Sequence, residues 1–75
     1  MEKVTLKDST LLAVNTMKKW ADYLEVFAYM KENGFYIGNS KTPEKSVSSE
    51  LYKHAESRRI ERKKEGPLPK YRSKE

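Results

Sequence analysis

Apolar residues recur at helical spacing in two N-terminal stretches of this chain, and a third such stretch follows a threonine-proline pair. Intervals of three and four residues place side chains on one side of an α-helix. The pattern predicts a first helix over residues 6–19, closed by two lysines, and a second over residues 21–33, closed by Gly34. Because the chain has 75 residues and no cysteine, one compact, helix-rich core must stabilise it.

The third stretch begins at Thr42 and Pro43, a pair that is typical of a helix start. Threonine can accept a hydrogen bond from the first turn, and proline is favoured at the first helical position because its missing N–H would be unpaired there. Val47, Leu51 and Ala55 follow at intervals of four and predict a narrow buried stripe. The opposite side of the helix is predicted to face outward. It carries Lys45, Ser46, Ser49, Lys53 and His54, of which His54 is expected to be partly exposed.

After Ser57 the helical spacing ends and the segment RRIERKKEGPLPKYRSKE follows. It predicts two strands, over residues 59–64 and 68–73, joined by a turn at the glycine and the prolines. Tyr71 is expected to pack its ring on the core. Three helices followed by a hairpin is the order of a winged helix. We therefore predict a mainly α protein with a small β-hairpin: a single winged helix-turn-helix domain with its core at about residues 5–72 and a short flexible C-terminal end.

The net charge of +5 lies entirely in the second half of the chain. Residues 1–40 carry five basic and five acidic side chains, whereas residues 41–75 carry eleven basic and six acidic ones. A polyanion would therefore meet the third helix and the hairpin first. The alternative is a lysine-rich surface that only keeps a small protein in solution.

Three segments, LKDSTLLAV, YLEVFAYMKENGFY and SKTPEKSVSSELYKHAESRR, together resemble the HARE-HTH family of winged helices. Its members share a GKTPE...V...LY segment that opens the third helix. The resemblance covers residues 5–60; Ser40 stands where the family usually has glycine, and the hairpin segment KKEGPLPKY differs from the family's usual aromatic ending. Family members occur fused to restriction enzymes and chromatin regulators, and in the delta subunit of bacterial RNA polymerase. The resemblance therefore implies a role on DNA or in transcription.

The exposed polar face of the third helix and the basic hairpin are predicted to bind double-stranded DNA. Lysines would neutralise phosphates, and serines would reach phosphates or base edges. The helix has no Arg, Asn or Gln before Arg58, so modest sequence specificity is expected. Glu50, Glu61 and Glu65 would oppose phosphates unless they pair with lysines or face a protein. The predicted contacts are Lys41, Lys45, Ser46, Ser49 and Lys53 on the helix and Arg59, Arg62, Lys63, Lys64, Lys70 and Arg72 on the wing.

These features favour a small DNA-binding protein, either a transcription regulator or an accessory protein of a phage or mobile element. The alternative is a protein-interaction winged helix that docks on RNA polymerase or another nucleic-acid enzyme, with Tyr36, Ile37 and Tyr52 as anchors. A homodimer is a further alternative.

No catalytic residue, metal site or cofactor is predicted, because the sequence has no Gly-rich phosphate loop, no metal-ligand cluster and no paired nucleophile and base. His54 is the one histidine of the chain, and no second metal-ligating residue is paired with it in the sequence. No apolar run has the length of a signal peptide or a membrane span, so we expect a cytoplasmic protein with no membrane partner.

Overall fold

The computed structural model describes residues 5–74 of the protein. Within them the chain forms three helices and an antiparallel hairpin, which confirms the predicted fold class and is compatible with a winged-helix layout. All predicted elements are present in the predicted order, with boundaries that differ by up to two residues. The elements are α1 (Leu6–Met17), α2 (Tyr23–Glu32), α3 (Pro43–Glu56), β1 (Ile60–Glu65) and β2 (Leu68–Ser73).

Local capping interactions set the ends of α1 and α2. The Thr5 hydroxyl accepts a hydrogen bond of 3.1 Å from the Asp8 amide at the start of α1. Asp22 and Glu25 form a reciprocal capping box at the start of α2, each side chain accepting from the other's backbone amide. The predicted helix start at residue 21 is therefore two residues early, because Ala21 pairs instead with Tyr71 of the hairpin.

Helix α3 starts at Pro43, as predicted, but the predicted cap by the Thr42 hydroxyl is wrong. That hydroxyl makes no capping hydrogen bond; the Thr42 carbonyl accepts from the amides of Lys45 and Ser46, at 3.1 and 3.2 Å. The Ser40 hydroxyl accepts from the Thr42 amide at 3.1 Å and so holds the turn before the helix. Fixed φ at proline and these backbone bonds start the helix without a side-chain cap.

The hairpin pairs Ile60 with Ser73 at one end and Glu65 with Leu68 at the other, so β1 lies one residue later than predicted. Gly66 turns the chain with φ of +69°. Ala21 adds a two-way backbone bridge to Tyr71, with N–H to carbonyl distances of 2.9 and 2.8 Å. This bridge attaches the segment between α1 and α2 to the free edge of β2.

The core lies where the three helices meet the hairpin. Val47 and Leu51 of α3 are fully buried as predicted, Tyr71 is also buried, and Ala55 is half-buried. Leu12 and Leu24, apolar residues of the first two helices, are 57% and 48% exposed and lie outside the core. The core consists of Ala13, Val14, Ala21, Val26, Met30, Val47, Leu51, Ile60 and Tyr71.

His54 corrects another prediction, because it is buried and not partly exposed. It follows Leu51 by three residues and therefore falls on the inward stripe of α3. Its Nε2 atom donates a hydrogen bond of 2.8 Å to the Lys7 carbonyl of α1. The histidine thus joins the beginning of α1 to the end of α3.

The second strand ends at Ser73, as predicted, and this residue is buried and paired with Ile60. Glu75, the last residue of the predicted flexible end, lies outside the described residues. None of the described helices has the length and apolar composition that crossing a membrane requires.

Candidate nucleic-acid interface

The outward side of α3 presents three of its side chains in a row. Lys45, Ser49 and Tyr52 are all exposed and are spaced by four and three residues, which places them on the side opposite the buried Val47 and Leu51. Lys41, in the turn before the helix, is also exposed. The structure therefore brings the predicted contacts Lys45 and Ser49 to one side of the helix, with Lys41 exposed just before its first turn.

Two predicted helix contacts, Ser46 and Lys53, occupy the flanks of α3. Ser46 is only half-exposed. The Lys53 Nζ atom lies 3.9 Å from a carboxylate oxygen of Glu50, one helical turn away, and its side chain is 68% exposed. Such an exposed pair contributes little to stability, but it offsets part of the charge that Lys53 would offer to a phosphate.

The strand alternation of the hairpin divides its basic residues between two faces. Ile60 points into the core, so Arg62 and Lys64 lie on the same side of β1 as Ile60, beyond the core edge and exposed. The Arg62 guanidinium lies 5.6 Å from the centre of the Tyr52 ring. Arg62 therefore joins the outward side of α3 to the wing. We call this surface the α3 face; it consists of Lys41, Lys45, Ser49, Tyr52, Arg62 and Lys64.

Lys63, Lys70 and Arg72 lie on the opposite side of the hairpin, where each of them has a carboxylate partner. Arg72 Nη2 donates a hydrogen bond of 2.8 Å to Glu61. Lys63 lies 3.2 Å from a Glu65 carboxylate oxygen. The third pair joins two elements, with Lys70 Nζ at 3.5 Å from Glu25 of α2.

Trp20 packs on this same side of the hairpin. Lys63 Nζ and Arg72 Cζ each lie 4.7 Å from the centre of its ring. The position of Trp20 follows from the bridge between Ala21 and Tyr71, because this pairing places Trp20 opposite Arg72 with both side chains on one face. We call this surface the outer wing face; it consists of Trp20, Asp22, Glu25, Glu61, Lys63, Glu65, Lys70 and Arg72.

The two faces differ in their balance of charge. The outer wing face holds four carboxylates and three basic side chains, and all three basic groups are paired. On the α3 face, Lys41, Lys45, Arg62 and Lys64 have no carboxylate within salt-bridge distance among residues 5–74. Three of the six predicted wing contacts, Lys63, Lys70 and Arg72, therefore lie on the side of the hairpin that faces away from α3, and each has a carboxylate partner there.

Arg59, the remaining predicted contact, lies at an open depression beside the C-terminal half of α3. The depression also includes Lys7 from α1, a basic residue that the charge count of the second half overlooked. Its charge is mixed, since two carboxylates accompany the basic groups. The lining residues are Lys7, Glu50, Tyr52, Lys53, Glu56, Ser57 and Arg59.

A second depression, predominantly apolar, lies between α1 and the turn after α2. The Ser9 hydroxyl donates a hydrogen bond of 2.7 Å to the Tyr36 carbonyl and fixes this turn to α1. Leu12 and Tyr36 are the exposed apolar side chains at its edge, whereas Ile37, a predicted protein anchor, is half-buried. Its lining residues are Ser9, Leu12, Asn33, Gly34, Phe35 and Tyr36.

Within residues 5–74, no three His, Cys, Asp or Glu side chains are grouped so that they could hold a metal ion. Comparison with protein-family models, with curated proteins and with solved structures gives no match for this chain. The resemblance to the HARE-HTH family therefore stays a prediction from the sequence.

Proposed function

We propose that this chain is a small DNA-binding winged-helix protein that contacts duplex DNA with its α3 face. The proposal includes a cytoplasmic role as a transcription regulator or as an accessory protein of a phage or mobile element. In it, α3 enters the major groove while Arg62 and Lys64 of the wing follow the phosphate backbone.

The observation that carries this proposal is the segregation of charge between the two faces. On the α3 face, the four basic groups have no carboxylate partner among the described residues, whereas the wing's two carboxylates, Glu61 and Glu65, lie on the other side of the hairpin with the paired basic groups. A solvated surface with no partner would not require this separation, since mixed charges on both faces keep a protein in solution equally well. Unpaired lysine and arginine side chains are the groups that replace the counterions of DNA phosphates.

The test is a fluorescence-anisotropy titration of a labelled duplex of about two helical turns, at several salt concentrations. Four phosphate contacts, from Lys41, Lys45, Arg62 and Lys64, correspond to a salt slope of about −3.6. The dissociation constant should then rise about 150-fold between about 50 and about 200 mM salt. Absence of binding at the lowest salt concentration, or binding that does not weaken with salt, would refute the proposal.

A second candidate function is docking on a protein, with RNA polymerase or another nucleic-acid enzyme as the partner. The apolar depression at Leu12 and Tyr36 favours it, because exposed apolar side chains at a concave site are typical of protein contacts. Recovery of a polymerase subunit by the wild type and not by Leu12→Asp, together with no binding of duplex DNA, would favour this candidate over the first.

A further inference from the structure

Tyr52 is distinctive among the large apolar side chains that the described part of the chain exposes. Four such residues are exposed: Leu12, Leu24, Tyr36 and Tyr52. Tyr52 alone of these four belongs to the α3 face, where it is 49% exposed and follows Lys45 and Ser49 along the outward side of the helix. A duplex that contacts both the helix and the wing would pass directly over its ring.

Arg62 holds this ring in place. Its guanidinium lies 5.6 Å from the ring centre, within the range of a cation–π contact. A tyrosine has few rotatable bonds, and a stacked guanidinium restricts them further, so little conformational entropy remains to be lost on binding. The contact with Arg62 therefore lowers the conformational entropy that the ring would lose on binding.

The outward side of α3 otherwise lacks side chains that read bases strongly. The proposal assigns Lys45 to a phosphate, serine does not discriminate between bases, and the helix contains no Arg, Asn or Gln. The apolar feature of the major groove is the C5 methyl group of thymine, which apolar and aromatic side chains recognise by direct contact. The half-exposed Tyr52 ring, which lies on the same side of α3 as Lys45 and beside Arg62, matches this feature.

We propose that Tyr52 is the base-reading residue of the interface and that its ring contacts a thymine methyl group in the major groove. This inference rests on the proposed binding of duplex DNA through the α3 face. It predicts a preference for thymine at one position of the bound site, with the phosphate contacts of Lys45 and Arg62 setting the position of the helix in the groove.

The test compares two labelled duplexes of about two helical turns, one of alternating adenine and thymine and one in which uracil replaces every thymine. The replacement removes only the methyl group. Wild-type protein should bind the thymine duplex about fourfold more tightly, the effect expected for burying one methyl group. Tyr52→Ala should bind both duplexes equally and keep the wild-type salt slope, since tyrosine neutralises no phosphate. Tyr52→Phe, which keeps the ring, should retain the preference.

Tyr36→Ala is the matched control, because Tyr36 is similarly exposed but lies at the depression beside α1. It should leave both affinities unchanged. Salt-dependent binding without a thymine preference in the wild type, or a preference that persists in Tyr52→Ala, would overturn the base contact and leave the proposed function standing. Failure of the wild type to bind either duplex would overturn the proposed function, and the base contact with it.

Discussion

Replacing two basic residues on either face of the wing should have very different effects on DNA binding. Arg62→Gln with Lys64→Gln removes two basic groups from the α3 face, and Lys63→Gln with Lys70→Gln removes two from the outer wing face. Both double variants lower the net charge by the same amount and change neighbouring positions of the same hairpin. Comparing the two variants therefore separates the effect on DNA binding of where a basic group lies from the effect of the total charge.

The expected magnitude follows from the number of phosphate contacts. Each contact contributes about −0.9 to the slope of log affinity against log salt concentration, so losing Arg62 and Lys64 should make the slope less steep by about 1.8. If the affinity extrapolated to about 1 M salt is unchanged, binding at about 0.1 M salt weakens about 60-fold. The measurement is fluorescence anisotropy with one labelled duplex across a series of salt concentrations.

The control variant should keep most of the binding. Lys63 and Lys70 are already paired with Glu65 and Glu25, and salt screens charges that lie farther than about 10 Å from a phosphate at about 0.1 M. Its affinity should fall less than threefold, about the effect of 0.6 kcal/mol, with the slope unchanged. Because partly exposed ion pairs each contribute about 0 to 1 kcal/mol to stability, the control should also remain folded by circular dichroism. Equal losses in the two variants, or a larger loss in the control, would refute the division of the wing into two faces.

Three further predictions concern stability. Leu51→Ala should lower the free energy of unfolding by about 2 to 5 kcal/mol in urea, because Leu51 is fully buried; a smaller loss would contradict its central place in the core. Arg58→Gly should raise the free energy of unfolding by about 1 kcal/mol, because Arg58 has a φ of +60°, a backbone conformation that glycine adopts with less strain. No gain would mean that the arginine side chain compensates for the strain. Trp20→Ala should lower the free energy of unfolding by about 1 to 2 kcal/mol, because the contacts of the ring with Lys63 and Arg72 are lost. An unchanged thermal midpoint would show that those contacts do not stabilise the hairpin.

The order of helices and strands could be predicted because the signals are local. Apolar spacing, the proline at position 43 and the turn at Gly66 each determine a boundary from a few neighbouring residues. The position of His54 was also within reach, since an interval of three from Leu51 continues the buried stripe. The sequence does not show its hydrogen-bond partner, the Lys7 carbonyl, because that contact joins residues 47 positions apart.

The candidate site was only partly predictable. Alternation from Ile60 could have separated Arg62 and Lys64 from Lys63, because Ile60 is the apolar residue of β1 and must point inward. The same alternation and register place Glu61 beside Arg72 and Glu65 beside Lys63. The pairing of Lys70 with Glu25 and the packing of Trp20 could not be deduced in this way, because they depend on the segment that the bridge between Ala21 and Tyr71 attaches to the hairpin.

The most direct test of DNA binding through the α3 face is the change in backbone amide NMR shifts when a short random duplex is added to the protein. If DNA binds to the α3 face, the largest changes will occur over residues 41–53 and 62–64, and the shifts of Trp20, Glu25 and Leu12 will change little. Changes centred on Trp20 and Glu25, or on Leu12 and the turn after α2, would contradict binding through the α3 face.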